Sequence, residues 1–255
     1  TSSGVLHGFE LAPHARAKVS LPLTLPENAS LGVVVRFSAL TKAKTIWADA
    51  GYEVASAAIE LPVPHSIPVF AEKTEAFTVK DDGRELVTVS GDGFAYTFNR
   101  LYAAIERIEK NGATILPSRT AFTTRRAPID NHRGLMAEHA LNNDAKLEFD
   151  QHELSEPYVT EFSVNEENEG VTLTFQGALT SYSARNLVDD MTVVYRVEKS
   201  GMICVSVSGG CTKNLPFLPR FGMELLLPGD KNAILYYGLG PVENYIDMHH
   251  AAHLG

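Results

Sequence analysis

Adjacent acids stand at Asp81-Asp82, Glu166-Glu167 and Asp189-Asp190. Two carboxylates are the working pair of a glycosidase, which holds its acid and its nucleophile about 5–5.5 Å apart on rigid elements. Sequence neighbours in polar, turn-like surroundings do not meet that geometry, and these three pairs predict solvated loops. His249, His250 and His253 form a second dense cluster. On a helix, positions 249 and 253 would share a face and could chelate a metal. Asp247 is the one acidic ligand nearby, so a solvated terminal segment is the expectation and no metal site is assigned. Gly238-Leu-Gly240 follows the apolar run Ala233–Tyr237, as the glycines of a dinucleotide-binding turn would. That turn needs a third small residue and a helix N-terminus facing the pyrophosphate. Here Pro241 comes at once, and Glu243 puts a carboxylate where a phosphate would sit. The expectation is a turn leaving a core strand.

Arg126-Ala-Pro-Ile-Asp-Asn131 flanks a proline with an arginine on one side and an Asp-Asn pair on the other. Asp and Asn bond backbone groups two residues on, so an ordered loop pinned by an Arg126–Asp130 bridge is expected. The chain contains no Gly-x-Ser-x-Gly, His-Glu-x-x-His or phosphate-loop motif. Asn28-Ala-Ser30 fits a glycosylation acceptor, with no secretory signal beside it. The single tryptophan, Trp47, lies early in the chain, away from the larger C-terminal part.

The elements that must position these residues are strands. Short runs rich in Val, Thr, Phe and Tyr occupy Gly32–Leu40, Glu53–Leu61, Glu85–Ser90, Phe94–Phe98, Lys146–Phe149, Tyr158–Val164, Val171–Phe175, Thr192–Val197, Met202–Val207 and Glu224–Leu227. Such residues suit a pleated, half-buried surface. Between them fall Asp81-Asp-Gly83, Gly91-Asp-Gly93, Lys110-Asn-Gly112 and Pro228-Gly-Asp230. Asp82-Gly83 and Asn111-Gly112 are dipeptides that supply positive φ to a hairpin turn. Leu101–Glu109 reads either as an amphipathic helix or as a strand, and its place between turns favours the strand. Many short strands at this spacing predict an all-β sandwich architecture. The run Leu61-Pro-Val-Pro-His-Ser-Ile-Pro68 predicts a linker, because each proline removes a ladder donor.

The chain has 255 residues, 44% of them hydrophobic and 21% charged, which is globular composition. A net charge of −9 disfavours nucleic acid and anionic membranes as partners. No apolar run reaches the roughly 18–20 residues needed to span a bilayer. Thr1-Ser-Ser-Gly-Val5 lacks the basic and apolar regions of a signal peptide, so a cytoplasmic location is expected. Cys204 and Cys211 could pair, but the expectation is two reduced, buried thiols facing opposite sides of a strand.

Two phrases, Arg126–Asn131 and Tyr237-Gly-Leu-Gly-Pro-Val-Glu-Asn-Tyr-Ile-Asp247, resemble the signature segments of the C-terminal supersandwich of large bacterial β-galactosidases, in glycoside hydrolase family 2. Trp47-Ala-Asp-Ala-Gly-Tyr-Glu-Val-Ala55 is similar to the end of the Ig-like domain before it. The resemblance implies a truncated Ig-like β-sandwich over 1–64, a linker over 65–72 and a galactose-mutarotase-like supersandwich over 73–255 that is incomplete at its end. It further implies that Arg126, Asp130, Asn131 and Gly134 belong to a loop at the edge of the galactose pocket, with Gly134 the glycine on which the loop moves. His132 departs from the family, which has a carboxylate there. Gly238, Gly240, Pro241, Glu243, Asn244 and Tyr245 are implied to be a structural motif. The implied parent hydrolyses terminal β-galactosides such as lactose with retention, as a homo-oligomer. Its catalytic glutamates and its Mg and Na ions would lie on a barrel domain or large subunit outside these residues. This chain alone would then be inactive, with no cofactor of its own. The other reading is a separate small subunit or carbohydrate-binding module without catalysis.

Overall fold

The computed structural model describes residues 3–7, 11–25, 29, 32–63, 77–127, 155–181, 186–212, 218–236, 238–240, 242, 244, 245, 248, 249 and 252–254. Among these residues every regular element of more than one residue is a strand, and no α-helix occurs. None contains a helix long and apolar enough to cross a membrane. The chain forms two compact units, one of residues Thr1–Val69 with Leu235–Gly255, the other of Phe70–Ile234.

In the first unit, β1 (Val33–Leu40) and β2 (Glu53–Leu61) form an antiparallel pair. Ser38 and Arg36 on β1 both donate to the Glu53 carboxylate, Ser38 at 2.5 Å. β2 stops where the prolines begin, after Leu61. A second small pair joins β14 (Leu239–Gly240) to β15 (His253–Leu254), and β15 comes alongside β2. The expected linker at 65–72 lies outside the described residues.

The second unit carries two larger antiparallel sheets. The first has the order β3 (Thr78–Asp81), β4 (Leu86–Gly91), β5 (Phe94–Asn99), β6 (Ala104–Lys110), β7 (Ala113–Leu116). It is a meander, each strand pairing with the next, as short turns between consecutive strands dictate. The Asn111-Gly112 turn has φ of 50° and 76°, both positive. Such a two-residue loop matches the right-handed twist of its strands. The Asp81-Asp82 pair works in the β3–β4 turn, where Asp82 accepts from the N–H groups of Arg84, Glu85 and Leu86 at 2.7–3.0 Å. Leu101–Glu109 is neither wholly helix nor wholly strand. Residues 101–103 turn, with Ala103 at φ 46°, and the strand begins at Ala104.

The other sheet is β9 (Ser155–Glu167), β10 (Gly170–Ser181), β11 (Asn186–Glu198) and β12 (Ile203–Cys211), again in sequential order. Alternate residues point inward. Val171, Leu173 and Phe175 from β10 and Val193, Tyr195 and Val197 from β11 meet Val87, Val89, Phe94, Tyr96 and Phe98 from the meander in one core. The Tyr195 ring lies 5.2 Å from Phe98 and 5.9 Å from Phe175. Its hydroxyl donates to the Ala103 carbonyl at 2.9 Å, and burial pushes the phenol pKa well up. Tyr96 donates likewise to the Gly201 carbonyl at 2.6 Å. Two sheets sharing such a core make the all-β, sandwich-type packing expected from the alternation.

Four expectations need correction. Leu225–Leu227 is not strand, because pairing ends at Glu224 in β13 (Gly222–Glu224), whose partner β8 (Ala121–Thr123) is only three residues long. Ala233–Tyr236 is not a core strand either: it joins no ladder among the described residues, and Ile234 and Leu235 are exposed. Cys204 and Cys211 are free thiols but exposed, since β12 is the outer strand of its sheet. The acid pairs Glu166-Glu167 and Asp189-Asp190 sit on β9 and β11, not in loops, with Asp190 at φ 49° where the register shifts. The expected strand Lys146–Phe149 lies outside the described residues.

Candidate functional site

The segment bearing Arg126 follows β8 within the second unit. Thr120 is buried and anchors the approach: its N–H donates to the Ile105 carbonyl, and the Ile105 N–H returns a bond to its hydroxyl at 3.0 Å. β8 then pairs with β13, Met223 opposite Phe122, and the Phe122 ring stacks on Phe221 at 5.9 Å. Thr124 is fully buried. The Arg125 N–H donates to the Thr123 hydroxyl at 3.2 Å, and Arg126 follows half-buried. Asp130, Asn131, His132 and Gly134 lie outside the described residues, as does the Arg126–Asp130 bridge.

The far end of this segment returns beside its start. Ser155, first residue of β9, donates its hydroxyl to the Phe122 carbonyl at 3.1 Å. Arg119 reaches Glu156 at 3.3 Å and lays its guanidinium 3.5 Å from the centre of the Tyr102 ring. This clamp escaped the sequence reading. Its members stand 17 and 37 positions apart, and no local pattern links residues at that distance.

The other candidate segment begins at Gly238. Leu239 pairs with Leu254 and Gly240 with His253. Between these strands in the sequence, the Met248 N–H donates to the Tyr245 carbonyl at 2.8 Å, and the Ala252 N–H to that of His249 at 3.1 Å. Gly240 is buried and does not adopt positive φ. A Cβ there would approach the Tyr236 hydroxyl to 2.7 Å, and that hydroxyl ends a flexible, exposed ring. Its backbone angle does not call for glycine, and the one close neighbour is a side-chain end that can give way. Asn244 and Tyr245 are exposed. Pro241 and Glu243 lie outside the described residues.

The carboxylates perturbed among the described residues all move in one direction. Asp81 is held low chiefly by its bond from Arg100 and then by the Gly83 N–H. Asp82 is lowered first by the Arg84 N–H and next by that of Leu86. The Ser38 hydroxyl lowers Glu53, and Lys231 lowers Asp230. A general acid in a glycosidase needs the opposite shift. Nor, among the described residues, do three His, Cys, Asp or Glu side chains come together as a metal site.

The described residues make an all-β class of protein built of antiparallel sheets, in which the perturbed carboxylates Glu53, Asp81, Asp82 and Asp230 serve turns and ion pairs. Family comparison makes this specific. Residues 90–255 match the model described as beta galactosidase small chain, and residues 1–62 match that for beta-galactosidase, domain 4. The chain belongs to the beta galactosidase small chain family. Among curated relatives it is 28% identical over 259 residues to a beta-galactosidase of Actinobacillus pleuropneumoniae, covering 100% of this chain and 24% of that protein. With the beta-galactosidase of Clostridium acetobutylicum it shares 27% identity over 248 residues, 96% of this chain and 26% of the relative. The beta-galactosidase of Lactobacillus delbrueckii subsp. bulgaricus is 28% identical over 247 residues, 97% and 23% of the two chains. The chain thus spans about a quarter of the length of these relatives.

Proposed function

We propose that these 255 residues are the non-catalytic C-terminal part of a cytoplasmic β-galactosidase that hydrolyses terminal β-D-galactosides such as lactose with retention. The observation that carries this reading is the match itself: 96–100% of the chain aligns with about a quarter of the three β-galactosidases named above. On this reading residues 1–64 end an Ig-like domain and 73–255 form a supersandwich that walls the active site and supports a homo-oligomer. The acid and nucleophile, with Mg and Na, would belong to a barrel domain or large subunit outside these residues. The lowered pKa of each of Glu53, Asp81, Asp82 and Asp230 supports a structural use of these carboxylates.

The segment from Arg126 through Asp130, Asn131 and Gly134 would border the galactose pocket. Its stem supports that role, because the Arg119–Glu156 and Ser155–Phe122 contacts fix where the segment leaves and returns. Gly238, Gly240, Pro241, Glu243, Asn244 and Tyr245 would serve the fold and bind no ligand. The purified 255-residue chain is expected to leave a chromogenic β-galactoside untouched, while the intact gene product hydrolyses it. Turnover by the chain alone, abolished by replacing one of its own carboxylates, would overturn the reading.

A further inference from the structure

The connection between β1 and β2 is unusually well built for a surface loop. Thr41 closes its base: its N–H donates to the Tyr52 carbonyl at 2.9 Å, its hydroxyl donates to the Asp49 carbonyl at 2.7 Å, and the Tyr52 N–H donates back to that hydroxyl at 3.0 Å. Thr45 closes its tip in the same way. The Thr45 N–H donates to the Ala48 carbonyl at 2.8 Å, and the Ala48 N–H donates to the Thr45 hydroxyl at 3.0 Å. The two residues held between them are Ile46 and Trp47.

Loop tips normally carry Gly, Pro, Asn, Asp or Ser. This tip presents Ile46 at 104% exposure and Trp47 at 64%, with Tyr52 at 55% set edge-on to the indole at 5.7 Å. Lys44 and Asp49, on either side of the tip, pair at 2.9 Å, and the loop's other charge, Lys42, stands nearer its base. A rigid loop that holds large apolar side chains in water gains nothing for its own stability. It loses little entropy on docking, and tryptophan and tyrosine are the residues that dominate interface energetics.

We propose that the Ile46–Trp47 tip is an anchor that seats in an apolar, uncharged pocket on the part of a β-galactosidase-length polypeptide lying outside these residues. The inference rests on the functional reading above, which assigns to that polypeptide the roughly three quarters of the relatives' length that this chain does not span. Rigidity, the apolar tip and the pairing of the charges that flank it together favour a protein pocket over a saccharide, which would call for polar groups set around the rings.

The test is Ile46→Asp made in two contexts. In the 255-residue chain the melting temperature should not change, because a fully exposed side chain supports nothing there. In the intact gene product the same substitution should lower the thermal midpoint by several degrees, and Ile46→Val should restore it. Trp47→Ser loses its Tyr52 contact in either context, so it should fall slightly in the 255-residue chain and clearly further in the intact product. An equal fall in both contexts would make the tip a piece of local structure, and no fall in either would leave it undocked; each result overturns the proposal. A tryptophan emission shift in the 255-residue chain that saturates with added galactose or lactose would also overturn it, in favour of a sugar platform. Galactoside hydrolysis by the intact wild type judges the functional reading separately, since the thermal comparison needs no turnover.

Discussion

The hairpin β1–β2 and the pair β10–β11 have the same pairing geometry and comparably apolar sequences, yet opposite fates. Along β10 and β11 the inward residues Leu173, Phe175, Val193 and Tyr195 are all but inaccessible. Along β2 every residue except Leu61 is exposed, Val54 and Ile59 at about half their surface. Every fully buried apolar side chain among the described residues lies between Val87 and Val197. The difference is a second layer. β10 and β11 face the aromatic strand β5, whereas among the described residues of its own unit β2 has only the two-residue β15 alongside, and a two-stranded hairpin by itself is marginal in water. Valines and alternation create the means for burial, and only a facing sheet turns them into stability.

The comparison can be broken most sharply by truncating one side chain in each region. Phe175→Ala should destabilise the second unit by about 3–5 kcal/mol, through lost transfer energy plus the cavity left beside Tyr195 and Phe162. Val54→Ala on the hairpin should fall within about 0.5 kcal/mol of wild type. Equal losses in urea unfolding would mean that β2 is covered after all.

A smaller effect tests how tightly the packed region is fitted. Gly177 sits where the β9–β10 register shifts, and an added Cβ would collide with the backbone carbonyl of Tyr158. Backbone cannot yield as a side-chain end can, so Gly177→Ala should cost about 1–3 kcal/mol. Gly210→Ala, where nothing lies within reach of a new Cβ, is the matched control.

The smallest effect is electrostatic and belongs to the β3–β4 turn. Asp82 is more acidic in the fold than its ordinary value of 3.8 because backbone N–H groups solvate its charge. A depressed carboxylate adds stability above its unfolded pKa and loses it as pH falls through the folded value. Asp82→Ala should therefore be less stable than wild type near neutrality, and the gap should close as pH drops below 3.8. Denaturation midpoints at stepped pH would show this, and a gap independent of pH would assign the turn's stability to something else.

How far the sequence foretold the structure follows the same physical divide. Glu53–Leu61 is the observed strand to the residue, and β4 and β5 lie within one residue of their expected bounds, because alternation and turn dipeptides agree there. Asn111-Gly112 announced a turn of positive φ and forms one. β3, β7 and β8 went unread, since three or four residues carry no usable period and their identity depends on a distant partner. Leu225–Leu227 misled for the converse reason: its residues suit a strand, and among the described residues no ladder continues past Glu224. The phrases containing Arg126 and Gly240 stand out in the sequence, and the roles given to those two residues are proposals. The Arg119–Tyr102–Glu156 clamp was not legible there, because tertiary contact alone brings its members together.

One last contrast lies within a single sheet. Its two outer strands are unlike in chemistry: β9 carries Pro157 and the acids Glu156, Glu161, Glu166 and Glu167, while β12 reads Ile-Cys-Val-Ser-Val-Ser-Gly-Gly-Cys with neither proline nor charge. Charge and proline are what deter a stray strand from adding to an open margin. One margin of the sheet is thus guarded against templating and the other is not. Any tendency of the separated chain to grow into larger aggregates should begin along β12, where a newcomer's backbone finds donors and acceptors without meeting a repelling side chain.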